Sequence, residues 1–116
     1  MGSLLYGNSG TEVSFDDRDL MHLQVVITAK LRRHEGFLLT WIASMDSGSG
    51  RSSIWLDPSS AISYRFTGSR IPSLNREWIE ALMLSANSAA GMFFSPEPAI
   101  STNLGNPAQF TKLAVG

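Results

Sequence analysis

The fold is decided by the stretch FDDRDLMHLQVVITAKLRRHEG, residues 15–36, whose apolar side chains repeat with the period of an α-helix. Asp16 is the expected N-cap, with Asp19 reaching back to it as a short capping box. Cations fill the last turn, and Gly36 is the residue expected just past the helix end. The pattern predicts a helix from about Asp17 to His34. Its main apolar stripe, which we expect to pack on a sheet, consists of Leu20, Leu23, Ile27 and Leu31.

The three acids at the start of this helix have two interpretations. Asp16, Asp17 and Asp19 lie where the helix dipole favours negative charge, so we interpret them as a helix start. The alternative is a carboxylate metal site. His22, one turn further on, is interpreted as a polar-face or capping residue, with a catalytic base as the alternative.

A second apolar line on the same helix indicates a contact beyond the sheet. Met21, Val25 and Ala29 lie on a different side from the main stripe. A helix that is apolar on two sides is either enclosed within its own fold or touches a partner. We therefore predict that Met21 and Val25 lie at or near an intermolecular contact.

The flanking segments predict an α+β fold. SLLYG and TEVSF, joined by NSG, are typical of a hairpin before the helix. FLLTWIASM, SSIWLD and AISYRFT follow it as three strands with short links, which predicts an antiparallel meander. REWIEALMLSANSAA is a second helix with Asn75 as its N-cap and Gly91 after it, and MFFS is a last strand. The order is ββαβββαβ: two helices packed on a mainly antiparallel sheet, in one domain over residues 1–98.

The C-terminal segment, residues 99–116, has one charge, Lys112, and no regular period. Ordering a residue's backbone costs about 1–2 kcal/mol, so such a segment needs many compensating contacts. We predict an extended arm that docks on another chain. Its expected partner contacts are Leu104, Phe110, Leu113 and Val115.

Composition excludes several classes of function. The chain has 116 residues, 16% charged, with a net charge of −1 and no cysteine. A disulfide framework and a thiolate metal site are therefore excluded, and we expect no cofactor. No apolar run approaches a membrane span and the N-terminus has no secretory pattern. We expect a cytoplasmic protein, or one within a particle assembled in the cytoplasm, that does not bind membranes.

The stretch SGSGRSS, residues 47–53, lacks the Walker spacing and is followed by a strand, so we interpret it as a hairpin tip. Arg51 remains a candidate contact for an acidic group on a partner. The three tryptophans, Trp41, Trp55 and Trp78, lie in apolar patterns and are expected in the core. The candidates for a local patch that contacts anions or nucleic acid are Lys30, Arg32, Arg33, Arg51, Arg70 and Arg76.

Three segments, FDDRDLMHLQVVITAKLRR, GRSSIWLDP and NREWIEALMLSANS, resemble a family of small single-domain actinobacterial proteins, plausible also in phages of those hosts. The resemblance covers about residues 3–98 and implies a shared fold. Members are often labelled ATP-dependent DNA ligases by automatic naming. Adenylation needs a Lys-x-Asp-Gly motif, whereas Lys30 is followed by Leu-Arg-Arg and Lys112 by Leu-Ala-Val. No catalytic residue is carried over, and we expect no enzyme.

Two functional hypotheses follow from the sequence. The first is a non-catalytic structural or interaction module that binds itself or another assembly subunit, for example in a phage particle. The alternative is a nucleic-acid-associated accessory protein that binds through the local basic patch. Low charge content and the apolar tail favour the first hypothesis.

Overall fold

Eight elements follow one another in the predicted order ββαβββαβ in the computed structural model, which describes residues 1–7, 10–42 and 50–98. The predicted arm, with Leu104, Phe110, Leu113 and Val115, lies outside the described residues. The elements are β1 (Gly2–Tyr6), β2 (Thr11–Phe15), α1 (Asp17–Arg32), β3 (Phe37–Ile42), β4 (Arg51–Leu56), β5 (Ile62–Arg65), α2 (Arg76–Ala86) and β6 (Met92–Phe93).

The strands form two three-stranded sheets, with the orders β2-β1-β5 and β4-β3-β6. All pairings are antiparallel except β3 with β6. The predicted meander is wrong at one step, because β5 pairs with β1 instead of β4. The backbone hydrogen bonds of a sheet do not select one particular neighbouring strand, and strands that are consecutive in sequence are neighbours only about two-thirds of the time. Here the pairing makes β1 a central strand and buries Leu4 completely.

The predicted stripe of α1 enters the core. Leu20, Leu23 and Ile27 are fully buried, and Leu31 packs against the same cluster. α1 contacts β1 and β2, whereas α2 contacts β3 and β6, so each helix packs on a different sheet. The two helices also contact each other. The buried apolar residues that α2 and the second sheet contribute are Phe37, Leu39, Leu56, Trp78, Leu82, Ala86 and Met92.

The start of α1 differs from the expected cap. The Asp16 side chain makes no capping hydrogen bond. Asp17 instead accepts hydrogen bonds from the backbone amides of Thr67 and Gly68, at 3.0 and 2.9 Å. The carboxylate therefore ties the helix start to the loop after β5. These amides lower the pKa of Asp17 below its usual value, with Gly68 contributing most.

The end of α1 is a Schellman motif without glycine. His34 has a φ of 59°. Its amide donates a hydrogen bond to the Leu31 carbonyl, and the Glu35 amide donates one to the Lys30 carbonyl. Gly36, expected in this position, serves a different purpose. A β-carbon there would lie 2.6 Å from the Trp55 ring, so glycine is needed for close approach.

His22 is fully buried between the two helices, so its interpretation as a polar-face or capping residue is wrong. Its Nδ1 lies 2.7 Å from the Arg18 carbonyl oxygen, which only accepts, so Nδ1 carries the proton. Its Nε2 accepts from the Asn75 amide at 2.8 Å, and the ring lies over Trp78 with centroids 4.5 Å apart. The Asn75 side chain accepts from the Trp78 amide, which confirms the predicted N-cap.

Arg18 and Glu97 join the chain after β6 to the helix starts. Arg18 donates two hydrogen bonds to the Glu97 carboxylate, at 2.8 and 2.7 Å, and a third to the Ser73 carbonyl. The Asn75 side-chain amide also donates to Glu97, at 2.9 Å. The Arg18 guanidinium, followed by Asn75, lowers the pKa of Glu97 to about 2. Trp78 Nε1 donates to the Ser95 carbonyl in the same segment.

Gly91 permits the parallel pairing of β6 with β3. Its φ is 90°, and a β-carbon there would lie 2.5 Å from the Leu38 carbonyl oxygen. We expect Gly91→Ala to lower the free energy of unfolding by about 2 kcal/mol or more, because strain and a clash add together. Urea denaturation measures this. Gly50→Ala is the control, since a β-carbon there meets no described atom within 4 Å. Equal stability of the two variants would contradict the prediction.

The ion pair between Arg18 and Glu97 predicts a pH dependence of stability. The pKa of Glu97 in the folded protein is about 2, below the ordinary value of 4.5. The ionised carboxylate therefore contributes fully to the free energy of unfolding above about pH 4.5, and this contribution is lost as the pH falls towards 2. We expect Glu97→Gln to be less stable than the wild type at neutral pH, with the difference shrinking through this window.

Thermal unfolding at a series of pH values measures the effect. In an Arg18→Gln background, Glu97→Gln should change the pH profile much less, because the main partner is gone. An undiminished effect in that background would contradict the role of the ion pair.

Candidate interaction surface

The outward-facing side of the β4-β3-β6 sheet carries a patch of apolar side chains. Side chains alternate along a strand, so burial of Phe37 and Leu39 places Leu38 and Ile42 on the opposite face. The register then pairs neighbouring strands residue by residue. We call this side of the sheet the outer sheet face, and its members are the apolar residues Leu38, Ile42, Trp55 and Phe93 and the polar residues Thr40, Arg51 and Ser53.

Three large apolar side chains on the outer sheet face are about half exposed: Ile42 (53%), Trp55 (51%) and Phe93 (43%). The expectation that all three tryptophans lie in the core is therefore wrong for Trp55. Trp78 is buried as expected, and Trp41 packs partly buried against the core. Ile54, Trp55 and Leu56 are consecutive apolar residues. Because side chains alternate between the two faces of a strand, at least one of the three must face outward, and it is Trp55.

The Trp55 side chain is held in place by its surroundings. Its indole Nε1 donates to Asp57 Oδ2 at 2.9 Å, and the Tyr6 hydroxyl donates to the Trp55 carbonyl. The close approach of Gly36 also positions the ring. Hydrogen bonds from Ser59 first, and then from Trp55, lower the pKa of Asp57. An aromatic ring fixed in this way loses little conformational entropy when a partner covers it.

A cleft of about 580 Å³ adjoins Trp55, and Lys30, Glu35 and Asn87 contribute to its lining. Lys30 is only 5% exposed and donates to Asn87 Oδ1 at 2.8 Å. Its Nζ also lies 2.8 Å from Glu35 Oε1, an ion pair that lowers the pKa of Glu35. The charge of Lys30 is thus neutralised within the fold, which argues against Lys30 as a contact for an anion.

The other predicted basic contacts lie on separate elements. Arg32 is the last residue of α1 and Arg33 is its C-cap, and both are exposed. Arg33 Nε lies 3.7 Å from Glu35 Oε2. Arg51 lies on the outer sheet face, and Arg76 begins α2. Arg70 lies in the loop before α2. Of this set, Arg51 alone shares a face with the exposed aromatic residues Trp55 and Phe93. Anion binding by these arginines stays a prediction.

Met21 and Val25 border a shallow groove on α1. The groove has a volume of about 350 Å³. A second hollow of about 230 Å³ adjoins it, shares Met21 and Gln24, and is walled by residues 66 and 68–72, including Arg70. Both predicted contact residues are partly exposed. All residues that line the first groove belong to α1: Met21, Gln24, Val25, Thr28, Ala29 and Arg32.

Two of the acids at the start of α1, Asp16 and Asp19, lie on a further concave surface. Glu12, Asp16 and Asp19 contribute to a cavity of about 490 Å³. Burial, followed by the charge of Asp16, raises the pKa of Asp19. Across the described residues, no three histidine or acidic side chains lie close enough together to hold a metal ion. The structure thus offers no support there for the carboxylate metal site.

Comparison with known proteins identifies a family. Neither the curated proteins nor the solved structures include a match to this chain. In the described part of the chain, no helix is both long and apolar enough to cross a membrane. A family model described as a domain of unknown function, DUF7882, matches residues 1–97, nearly the span of the resemblance noted in the sequence. The α+β chain with the outer sheet face therefore belongs to the DUF7882 family.

Proposed function

We propose that this protein is a non-catalytic interaction module that self-associates through the outer sheet face, as a subunit of a larger assembly. The observation that carries the proposal is the half-exposure of Ile42, Trp55 and Phe93 on one face of one sheet. Apolar residues scattered singly are ordinary on a protein surface, but several large ones that share one face of one sheet are typical of an interaction site.

The energetics of the outer sheet face support a protein partner. Covering a large apolar side chain that was fully exposed contributes about 1.5–3 kcal/mol, and these side chains are half exposed. Trp55 is held by its neighbours before binding, so covering it costs little ordering entropy. Arg51 is the only charged member of the face. A second copy of the same face presents a matching, nearly uncharged apolar surface, and an isologous contact requires this.

A non-catalytic role is supported by the state of the lysines. The chain has two lysines, and neither lies in a Lys-x-Asp-Gly motif. Lys30 is ion-paired and hydrogen-bonded within the fold, which disfavours a nucleophilic role. The ligase label of the resembling actinobacterial family is therefore not extended to this protein. We place the assembly in the cytoplasm, or in a particle such as a phage particle made there.

Residues 99–116 are proposed to act as an arm in this assembly. They contain five sizeable apolar side chains and a single charge, so docking on a neighbouring subunit offers burial with little charge desolvation. The anchor of the arm is described: Asn75 Nδ2 contacts the Pro98 carbonyl, and Glu97 is held by Arg18. The last described residues before the proposed arm are thus fixed beside the start of α2.

Single-stranded nucleic acid is the second candidate partner. Trp55 and Phe93 share the outer sheet face with Arg51, and aromatic rings beside a cation are typical of base-stacking platforms. Nonspecific affinity draws mainly on phosphate neutralisation, however, and the face has one cation. The observations therefore favour a protein partner.

We expect the double variant Ile42→Ser/Phe93→Ser to have a lower mass in solution than the wild type, because the contact loses two of its apolar side chains. Light scattering over a dilution series measures this mass. Leu84→Ser is the matched control, since Leu84 is 76% exposed on α2, away from the outer sheet face. A wild type that stays monomeric at every concentration, or a double variant with unchanged mass, would show that the face does not mediate self-association.

The nucleic-acid alternative has its own measurement. We expect no binding of a labelled single-stranded oligonucleotide by fluorescence anisotropy at physiological salt. Binding that weakens with added salt and is reduced by Arg51→Glu would support the alternative instead.

A further inference from the structure

α1 has a second face that neither sheet nor α2 covers. All the residues that line the groove of about 350 Å³ come from α1 itself, so this groove is the surface of a bare helix and not a crevice between elements. Thr28 and Arg32 are exposed along it, and Met21, Val25 and Ala29 are partly exposed. The main stripe of α1 is already buried in the core, so these residues are not needed for packing within the domain.

The shape of this face suits another helix. Its central side chains are small or medium in size: Val25, Thr28 and Ala29. Small side chains at positions three and four apart leave grooves into which the side chains of a second helix insert. The adjoining hollow continues the surface towards the loop after β5, so the available contact is longer than the groove itself.

The charges at the two ends of this face point to a second copy of the same helix. Asp17 lies at the N-terminal end, where the Gly68 amide that contacts it borders the adjoining hollow. Arg32 lies at the other end and forms no ion pair with any other described residue. Two copies packed antiparallel bring Asp17 of one opposite Arg32 of the other. The same register places Met21 opposite Thr28 and Gln24 opposite Val25.

The protein's own tail is a poorer occupant of this face. Residues 99–116 contain no acidic side chain, so they offer Arg32 no side-chain carboxylate. A second α1 supplies both the apolar stripe and the carboxylate. The hydrogen bonds from Gly68 and Thr67 lower the pKa of Asp17, so its side chain stays ionised near neutral pH.

We propose that two copies of the chain pack α1 against α1 in antiparallel orientation, with Val25 near the centre and an Asp17–Arg32 pair at each end. This contact is distinct from the outer sheet face, and it adds to the proposed function without depending on it. If both contacts form, each protomer has two different isologous interfaces. Such a protomer builds either a closed tetramer or an open chain of alternating contacts, depending on the angle between the two axes.

Arg70 provides a direct test of the register. It borders the hollow at the Asp17 end of the face, where it repels the incoming Arg32 of the second copy. Arg70→Glu is therefore expected to strengthen the contact, whereas Arg32→Glu is expected to weaken it by opposing Asp17. Weakening by Arg70→Glu would overturn the proposed register, because it would mean that Arg70 faces an acid.

The main experiment combines variants of the two faces and measures mass by light scattering. Val25→Glu should halve the mass of a wild-type tetramer, or reduce an open chain to dimers, without changing the circular dichroism spectrum. Ile42→Ser/Phe93→Ser should also yield dimers, and the combined variant should be a monomer. Leu84→Glu, a matched change on the exposed face of α2, should leave the mass unchanged.

Each outcome separates the two proposals. An unchanged mass in both Val25→Glu and Arg32→Glu overturns the α1 contact, even if the sheet variant dissociates. A mass that falls to monomer with Val25→Glu alone, and is unaffected by the sheet variant, supports the α1 contact and overturns the outer sheet face. Unfolding of Val25→Glu is recognised by circular dichroism. Arg32→Glu, at an exposed site, then decides the question without a folding defect.

Discussion

The buried His22 imidazole joins the two halves of this protein. Each helix packs on a different sheet, so the domain is held as one unit by what joins α1 to α2 and one sheet to the other. His22 bridges the Arg18 carbonyl on α1 and the Asn75 amide at the start of α2. Both ring nitrogens are satisfied, so a buried polar group that would otherwise be costly becomes a specific link between the helices.

Further contacts also join the two halves of the domain. Arg18, from the same turn of α1, reaches Glu97 after β6, and Asn75 contacts that carboxylate as well. The Tyr6 hydroxyl links β1 to the Trp55 carbonyl on β4, and Phe15 contacts the Trp41 ring edge-on at 6.1 Å between centroids. The two sheets thus share one core although no backbone ladder runs between them.

This arrangement determines which surfaces remain available. Because the helices occupy the inner side, the outer face of the β4-β3-β6 sheet is left with Ile42, Trp55 and Phe93 half exposed. The face of α1 away from the core is also uncovered, from Met21 to Arg32. Only 16% of the residues are charged, so few charged side chains are available to make these faces polar. The proposed contacts between copies would bury the faces.

The sequence by itself determined the features that depend on neighbours along the chain. The helical period of Leu20, Leu23 and Ile27, the cap at Asn75 and the order of elements follow from local spacing, and the structure confirms them. The partial exposure of Met21 and Val25 also followed from helical spacing alone, whereas their role in an intermolecular contact stays a prediction. Backbone geometry and side-chain period act over a few residues, so they can be recognised without the fold.

Only the tertiary structure decided the rest. The pairing of β5 with β1 and the burial of His22 depend on residues at least 53 positions away. The neutralisation of Lys30 depends on Asn87, 57 positions away, and on the nearby Glu35. Trp55 was expected in the core because consecutive apolar residues give no strand period, and the sheet's register with β3 turned it outward. His34, and not Gly36, took the left-handed position, whereas Gly36 approaches the Trp55 ring closely. Long-range packing sets each of these outcomes, since burial and partner choice are properties of the assembled core and not of the local sequence.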